Sequence, residues 1–207
     1  MKQWKVFISG MMAGLAISLG GTVFLSVDDK IIGAAAFTVG LFTVCTLGLA
    51  LYTGRVCYLF ENGRAYALDL PVIWLGNLAG TFLTARVLLL TRIAPTLQEK
   101  AAVLCETKLS DDLLSIFILA VFCNLLIYTA VEGFRSNPHE LGKYLALFFG
   151  VVVFILCGFE HCVANMYYFS VAGAWSARTL LYVIVMTAGN SVGGLLLPLL
   201  RRFLSRT

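Results

Sequence analysis

Charge is what this chain has least of. Only 13% of its 207 residues are Asp, Glu, Lys or Arg, while 60% are hydrophobic, and the mean hydropathy is +0.91. A water-soluble domain of this size would need far more polar cover, so lipid must be the solvent for most of the chain. Histidine is nearly absent too. His139 and His161 are the only two, which excludes a His-Glu-x-x-His metal site. The six cysteines (Cys45, Cys57, Cys105, Cys123, Cys157 and Cys162) show neither Cys-x-x-Cys nor metal-ligand spacing, and most lie in apolar runs where cysteine packs as a small side chain. The formal charge of +4 is too modest to point to nucleic acid. No cofactor or metal is expected, and no cleavable leader is evident, since the first apolar run is long enough to be a span.

What is present is a series of apolar segments. About 20 such residues cross a bilayer as a helix, and six segments stand out, near 6–27, 32–56, 70–91, 113–134, 142–169 and 179–200. Short polar stretches separate them. The longest, from Arg92 to Asp112, is expected as a loop whose Ser110-Asp111-Asp112 can start the next helix. The chain is therefore expected to be an all-α polytopic membrane protein, a single channel domain over 1–207. With the N-terminus inside, nine basic residues (Lys2, Lys5, Arg55, Arg64, Arg135, Lys143, Arg201, Arg202, Arg206) fall on the inner side. Five (Lys30, Arg92, Lys100, Lys108, Arg178) fall on the outer side. Both termini are expected in the cytoplasm.

An internal repeat organises the segments. Gly76-Asn77-Leu78-Ala79-Gly80 recurs as Gly189-Asn190-Ser191-Val192-Gly193, and small residues at this spacing let helices approach closely. Each motif follows a segment with a polar interruption, Tyr52-Thr53-Gly54-Arg55 in one case and Gly158-Phe159-Glu160-His161 in the other. Two halves of three spans, about 1–92 and 109–207, must run in opposite directions, and inverted repeats with broken helices are a recurring transport architecture.

Glu160 and His161 lie in mid-segment. An ionisable side chain there costs about 2.5–3.5 kcal/mol, so it faces a cavity or a partner. Adjacent residues on a helix point about 100° apart, so the two are not expected to face one narrow pore equally. Imidazole exchanges a proton near neutral pH, which favours His161 for function; Glu160 reads as a buried structural polar group, as do Asn77 and Asn190. Thr53-Gly54-Arg55 marks either a break or a helix end at the interface. Asn124 can serve as interhelical glue. Lys108 is either simply solvated or placed at a pore mouth, where it would concentrate anions.

The stretch Gly158-Phe159-Glu160-His161-Cys162-Val163-Ala164-Asn165-Met166 resembles the GFEHxxANM signature of the formate–nitrite transporter family. Leu51-Tyr52-Thr53, Gly76-Asn77, Lys108, Cys123-Asn124-Leu125 and Gly189-Asn190 with Gly193 agree in order and spacing. The resemblance implies an aquaporin-like fold of six helices in two inverted repeats, helices two and five broken, assembled as a homopentamer in the cell (inner or plasma) membrane with one pore per protomer. It carries the family's central histidine to His161, its threonine to Thr53, its helix-four asparagine to Asn124 and its vestibule lysine to Lys108. The apolar constrictions correspond to Phe37, Leu41, Leu51 and Phe154. Tyr52 stands where formate channels tend to have phenylalanine, Thr53 is followed by Gly54-Arg55, and the 169–177 connection is short; formate, nitrite and hydrosulfide all stay open.

The expected function is passage of a small monovalent anion of a weak acid, with a proton supplied at or near His161 so that a neutral molecule crosses the apolar constriction. The alternative is an aquaporin-like channel for a small neutral solute. It shares the inverted repeat, but the four prolines (Pro71, Pro95, Pro138, Pro198) form no Asn-Pro-Ala pair. An enzyme is not expected, because His161 and Glu160 lack a paired nucleophile or a metal-ligand set.

Overall fold

Backbone polar groups in lipid must be satisfied within their own segment, and every apolar segment of this chain is accordingly helical. The computed structural model describes residues 2–205, so Arg206 lies outside the described residues. Within them the order is α1 (Gln3–Ser26), α2 (Lys30–Thr46), α3 (Tyr52–Val56), α4 (Arg64–Leu88), α5 (Ala94–Ser110), α6 (Leu113–Ser136), α7 (Glu140–Leu156), α8 (Cys162–Val171) and α9 (Ala177–Leu204). The helices α1, α4, α6 and α9 are each long and apolar enough to cross a membrane. Starts are set by side chains: Asp29 accepts from Ile31 and Ile32 N–H, and Asp112 from Leu114 and Ser115 N–H.

Two expectations about local structure are corrected. The stretch from Arg92 to Asp112 is largely helix, not loop: α5 buries Ala94, Leu97, Ala101 and Cys105 along one stripe. The break in the second segment falls at Leu47–Leu51, and Thr53-Gly54-Arg55 lie inside α3. Its cause is Gly48, whose φ of 64° ends α2. Leu49 N–H then bonds Val44 C=O, and Gly48 N–H bonds Cys45 C=O, the pairing of a Schellman helix stop. The fifth segment stops in the same way. Gly158 has φ 70°, Phe159 N–H bonds Phe154 C=O, and Gly158 N–H bonds Ile155 C=O.

One packing pattern occurs twice. The pair α1 and α4 is built like the pair α6 and α9; α2 packs on α1, α7 on α6, and α2 meets α7. A Cβ on Gly80 would overlap the Met11 carbonyl, and one on Gly193 the Val121 carbonyl. Each short helix reaches across the seam, α3 to α9 and α8 to α4. The outer faces are coated with exposed Leu, Ile, Val and Phe such as Leu75, Leu90, Phe122 and Phe149, as lipid-facing helices require.

Candidate functional site

A broken helix leaves donors and acceptors open at mid-depth, and two asparagines close them. Asn77 Oδ1 accepts from Tyr52 N–H at 2.8 Å, while its Nδ2 donates to Gly10 C=O (2.8 Å) and Ala50 C=O (2.9 Å). Asn190 repeats the arrangement: Oδ1 accepts from Cys162 N–H at 2.9 Å, and Nδ2 donates to Ala120 and Glu160 C=O, both at 2.8 Å. Asn124 adds a cross-tie, its Nδ2 donating to Thr53 C=O (3.1 Å) and Asn190 C=O (2.7 Å). It bonds the backbone that carries Thr53, not the imidazole.

His161 is not inside a helix. It is the N-cap of α8, with its Nδ1 accepting from Ala164 N–H at 3.1 Å. An Nδ1 that accepts carries no proton, so in the neutral ring the hydrogen sits on Nε2. That nitrogen lies 2.9 Å from Thr53 Oγ1 and donates to it. The hydroxyl hydrogen of Thr53 has no protein acceptor among the described residues. Because Glu160 lies between helices and His161 is an N-cap with extended backbone, the 100° separation expected on a helix does not apply.

Apolar rings surround this contact. Phe154 stacks on the imidazole at 5.7 Å and 22°, and meets Phe37 edge-on at 6.0 Å. Phe37, Leu41, Leu51 and Phe154 are all at most 4% exposed.

Two cavities flank the constriction and share no lining residue. One, of about 290 Å³, reaches Phe154 and His161 and is lined by Lys30, Lys108, Asp111, Glu160 and Asn165. The other, of about 340 Å³, reaches Leu41 and Leu51 and is lined by Arg55, Tyr58, Asn62, Tyr66 and Arg135. They contact opposite ends of α6, whose 24 residues span about 36 Å. At the first mouth Lys108 is not simply solvated. Its ammonium pairs with Glu160 at 2.7 Å, with side-chain exposures of 14% and 4%, and Glu160 also accepts from Asn165 Nδ2 at 2.6 Å. The available signal for this pair was two opposite charges beside apolar segments, since such charges seek each other. Tyr58, Tyr66 and Tyr168 line the cavities without having been singled out from the sequence, where Asn165 stood only within the signature and Arg135 only as an inner-side charge. Among the described residues no three His, Cys, Asp or Glu side chains gather as a metal site.

A sequence profile described as Formate/nitrite transporter matches residues 1–203. The chain is 28% identical to a probable formate transporter of Methanothermobacter thermautotrophicus, over 92% of this chain and 84% of that one. It is 24% identical to the nitrite transporter NirC of Escherichia coli, over 91% and 78%. Its fold superposes on a solved pentameric formate channel with formate bound, with a TM-score of 0.86 and 24% identity, covering 99% of this chain and 97% of that one. The chain is thus a membrane protein of the formate/nitrite transporter family.

Proposed function

We propose that this protein is a channel for a small monovalent anion of a weak acid, conducted between the Lys108 and Arg55 mouths past His161. The observation that carries the proposal is the His161–Thr53 contact, set where both helix breaks meet, between two cavities and beneath an apolar constriction. An isolated charge would be prohibitively costly among Phe37, Leu41, Leu51 and Phe154. The anion therefore enters from one of the two mouths, receives a proton at or near His161, and passes as a small neutral acid. The Thr53 hydroxyl, with its own hydrogen free, hydrogen-bonds the passing oxygen or sulfur; Asn124 and Asn190 hold the breaks rigid.

In this reading α2 with α3, and α7 with α8, each make one broken crossing, so the helices form six crossings in two inverted, aquaporin-like halves. Five copies assemble with one pore each in the cell membrane, the Arg55 mouth and both termini facing the cytoplasm. The recurrence of the asparagine ties, helix stops and glycine contacts supports the two halves.

The test is flux of formate, nitrite and hydrosulfide into liposomes across pH 5–8, for wild type and His161→Asn. Flux of at least one anion, with a pH profile that the variant flattens, is expected. An unchanged profile removes His161 as the proton site. No flux of any of the three, from folded protein, defeats the channel reading.

A further inference from the structure

The two mouths differ in charge. The cavity at Lys108 is lined by Lys30, Lys108, Asp111 and Glu160, two cations and two carboxylates, and Lys108 spends its charge on Glu160. The opposite cavity is lined by Arg55 and Arg135 and by no acidic side chain. Neither arginine forms an ion pair among the described residues. Arg55 donates to the Gly48 carbonyl at 3.3 Å, and Tyr66 fixes its backbone by donating to Arg55 C=O at 2.7 Å. Arg135 lies 4.9 Å from the Tyr58 ring centre. Two carboxylates near Arg135, Glu61 and Glu132, are outside the cavity lining; Glu132 accepts from Tyr58 at 2.8 Å and pairs with Arg201 at 3.0 Å. Of the other walls, Tyr58, Asn62 and Tyr66 add polar groups, while Leu41, Val44, Leu49, Leu51, Val131 and Phe134 form an apolar side that strengthens a charge interaction beside it.

Two guanidinium groups are not equivalent to two point charges. Each presents a planar fork of donors that matches two acceptor oxygens held in one plane. A hydrosulfide ion offers one round sulfur and leaves half of each fork unused. We propose that Arg55 and Arg135 form an anion-binding site at this mouth that takes planar two-oxygen anions, carboxylate or nitrite, in preference to hydrosulfide. The proposal rests on the reading that this mouth belongs to the conduction path, and it narrows the substrate class.

Binding is measured in detergent on the full chain, by line broadening of carbon-13 formate, with nitrite and hydrosulfide as competitors. Wild type is compared with the Arg55→Gln/Arg135→Gln and Arg55→Lys/Arg135→Lys double variants. The glutamine pair should weaken formate binding about tenfold, and the lysine pair, which keeps charge but loses the forks, about threefold. Nitrite should displace formate at concentrations where hydrosulfide does not. Where the glutamine pair does not fold, the lysine pair carries the test. Formate binding unchanged in the variants, or equal displacement by hydrosulfide and nitrite, overturns the proposal. Arginine-dependent binding together with no liposome flux would retain the site and reject the channel reading. Formate flux with an unaltered half-saturating concentration in a folded double variant would retain the channel and reject the site.

Discussion

The two halves of the molecule share a scaffold and differ in chemistry. Asn77 and Asn190 make the same three bonds, and Gly48 and Gly158 stop their helices with the same carbonyl pairing. The residue two places before each tied N–H is Ala50 in one half and Glu160 in the other; the N-cap is Leu51 in one and His161 in the other. The helix that follows has 5 residues in α3 and 10 in α8. Main-chain groups define the scaffold, so it constrains only the asparagines and glycines. The side chains at the breaks are free to diverge, and only the second half places an ionisable pair, Glu160 and His161, in the break itself.

The sharpest break of this comparison is at the helix contacts. Gly80→Ala and Gly193→Ala should each force a Cβ into a carbonyl, costing about 3 kcal/mol or more. Both should lose monodisperse protein in size-exclusion chromatography to a similar degree. Loss in one variant alone would show that the halves do not bear the same packing.

Next in size is the charge that only the second half holds. Glu160→Ala leaves the Lys108 ammonium without its partner in a largely buried setting and should destabilise the fold by about 3 kcal/mol in denaturation experiments. The double substitution Lys108→Met/Glu160→Met should recover most of that, because an apolar pair replaces a desolvated ion pair at little cost. A double variant as unstable as the single one would mean that Glu160 acts through Asn165 rather than through Lys108.

The smallest effect is expected at the α1–α2 turn, where Asp28 accepts from Lys100 at 2.6 Å. This hydrogen bond, with the Lys100 charge, holds the Asp28 carboxyl below its ordinary value. Its contribution is therefore present above the unfolded-chain value near ~3.9 and disappears as pH falls through the lower folded value. The carboxylate is fully exposed, so Asp28→Asn should move the melting temperature at pH 7 by no more than about 2 °C. Any difference from wild type should vanish in acid.

Family membership, helical character and the pairing of the two glycine–asparagine motifs were all legible in the residues. The first break was misplaced because it consists of Leu47-Gly48-Leu49-Ala50-Leu51, which is as apolar as the helix it interrupts. A hydropathy pattern marks a break only when polar residues occupy it, as Glu160 and His161 do in the other half. Helix α5 had a visible stripe at 94, 97, 101 and 105, but its low overall hydropathy reads as a loop when membrane spans are being sought. The Lys108–Glu160 pair joins residues 52 positions apart, a tertiary fact that local pattern does not carry.

Helix α5 joins the halves, and it does more than connect them. Lys100 holds the α1–α2 turn of the first half, and Lys108 holds the Glu160 carboxylate of the second. A linker that grips both of the units it connects is a clasp. If the chain were severed before Ala94 and the two pieces produced together, the helix would travel with the second piece and could still find the first through Lys100. Severed at Asp111–Asp112, the second piece would arrive with Glu160 bare and its mouth unfinished. Co-produced pieces cut ahead of α5 are therefore expected to assemble more completely than pieces cut behind it.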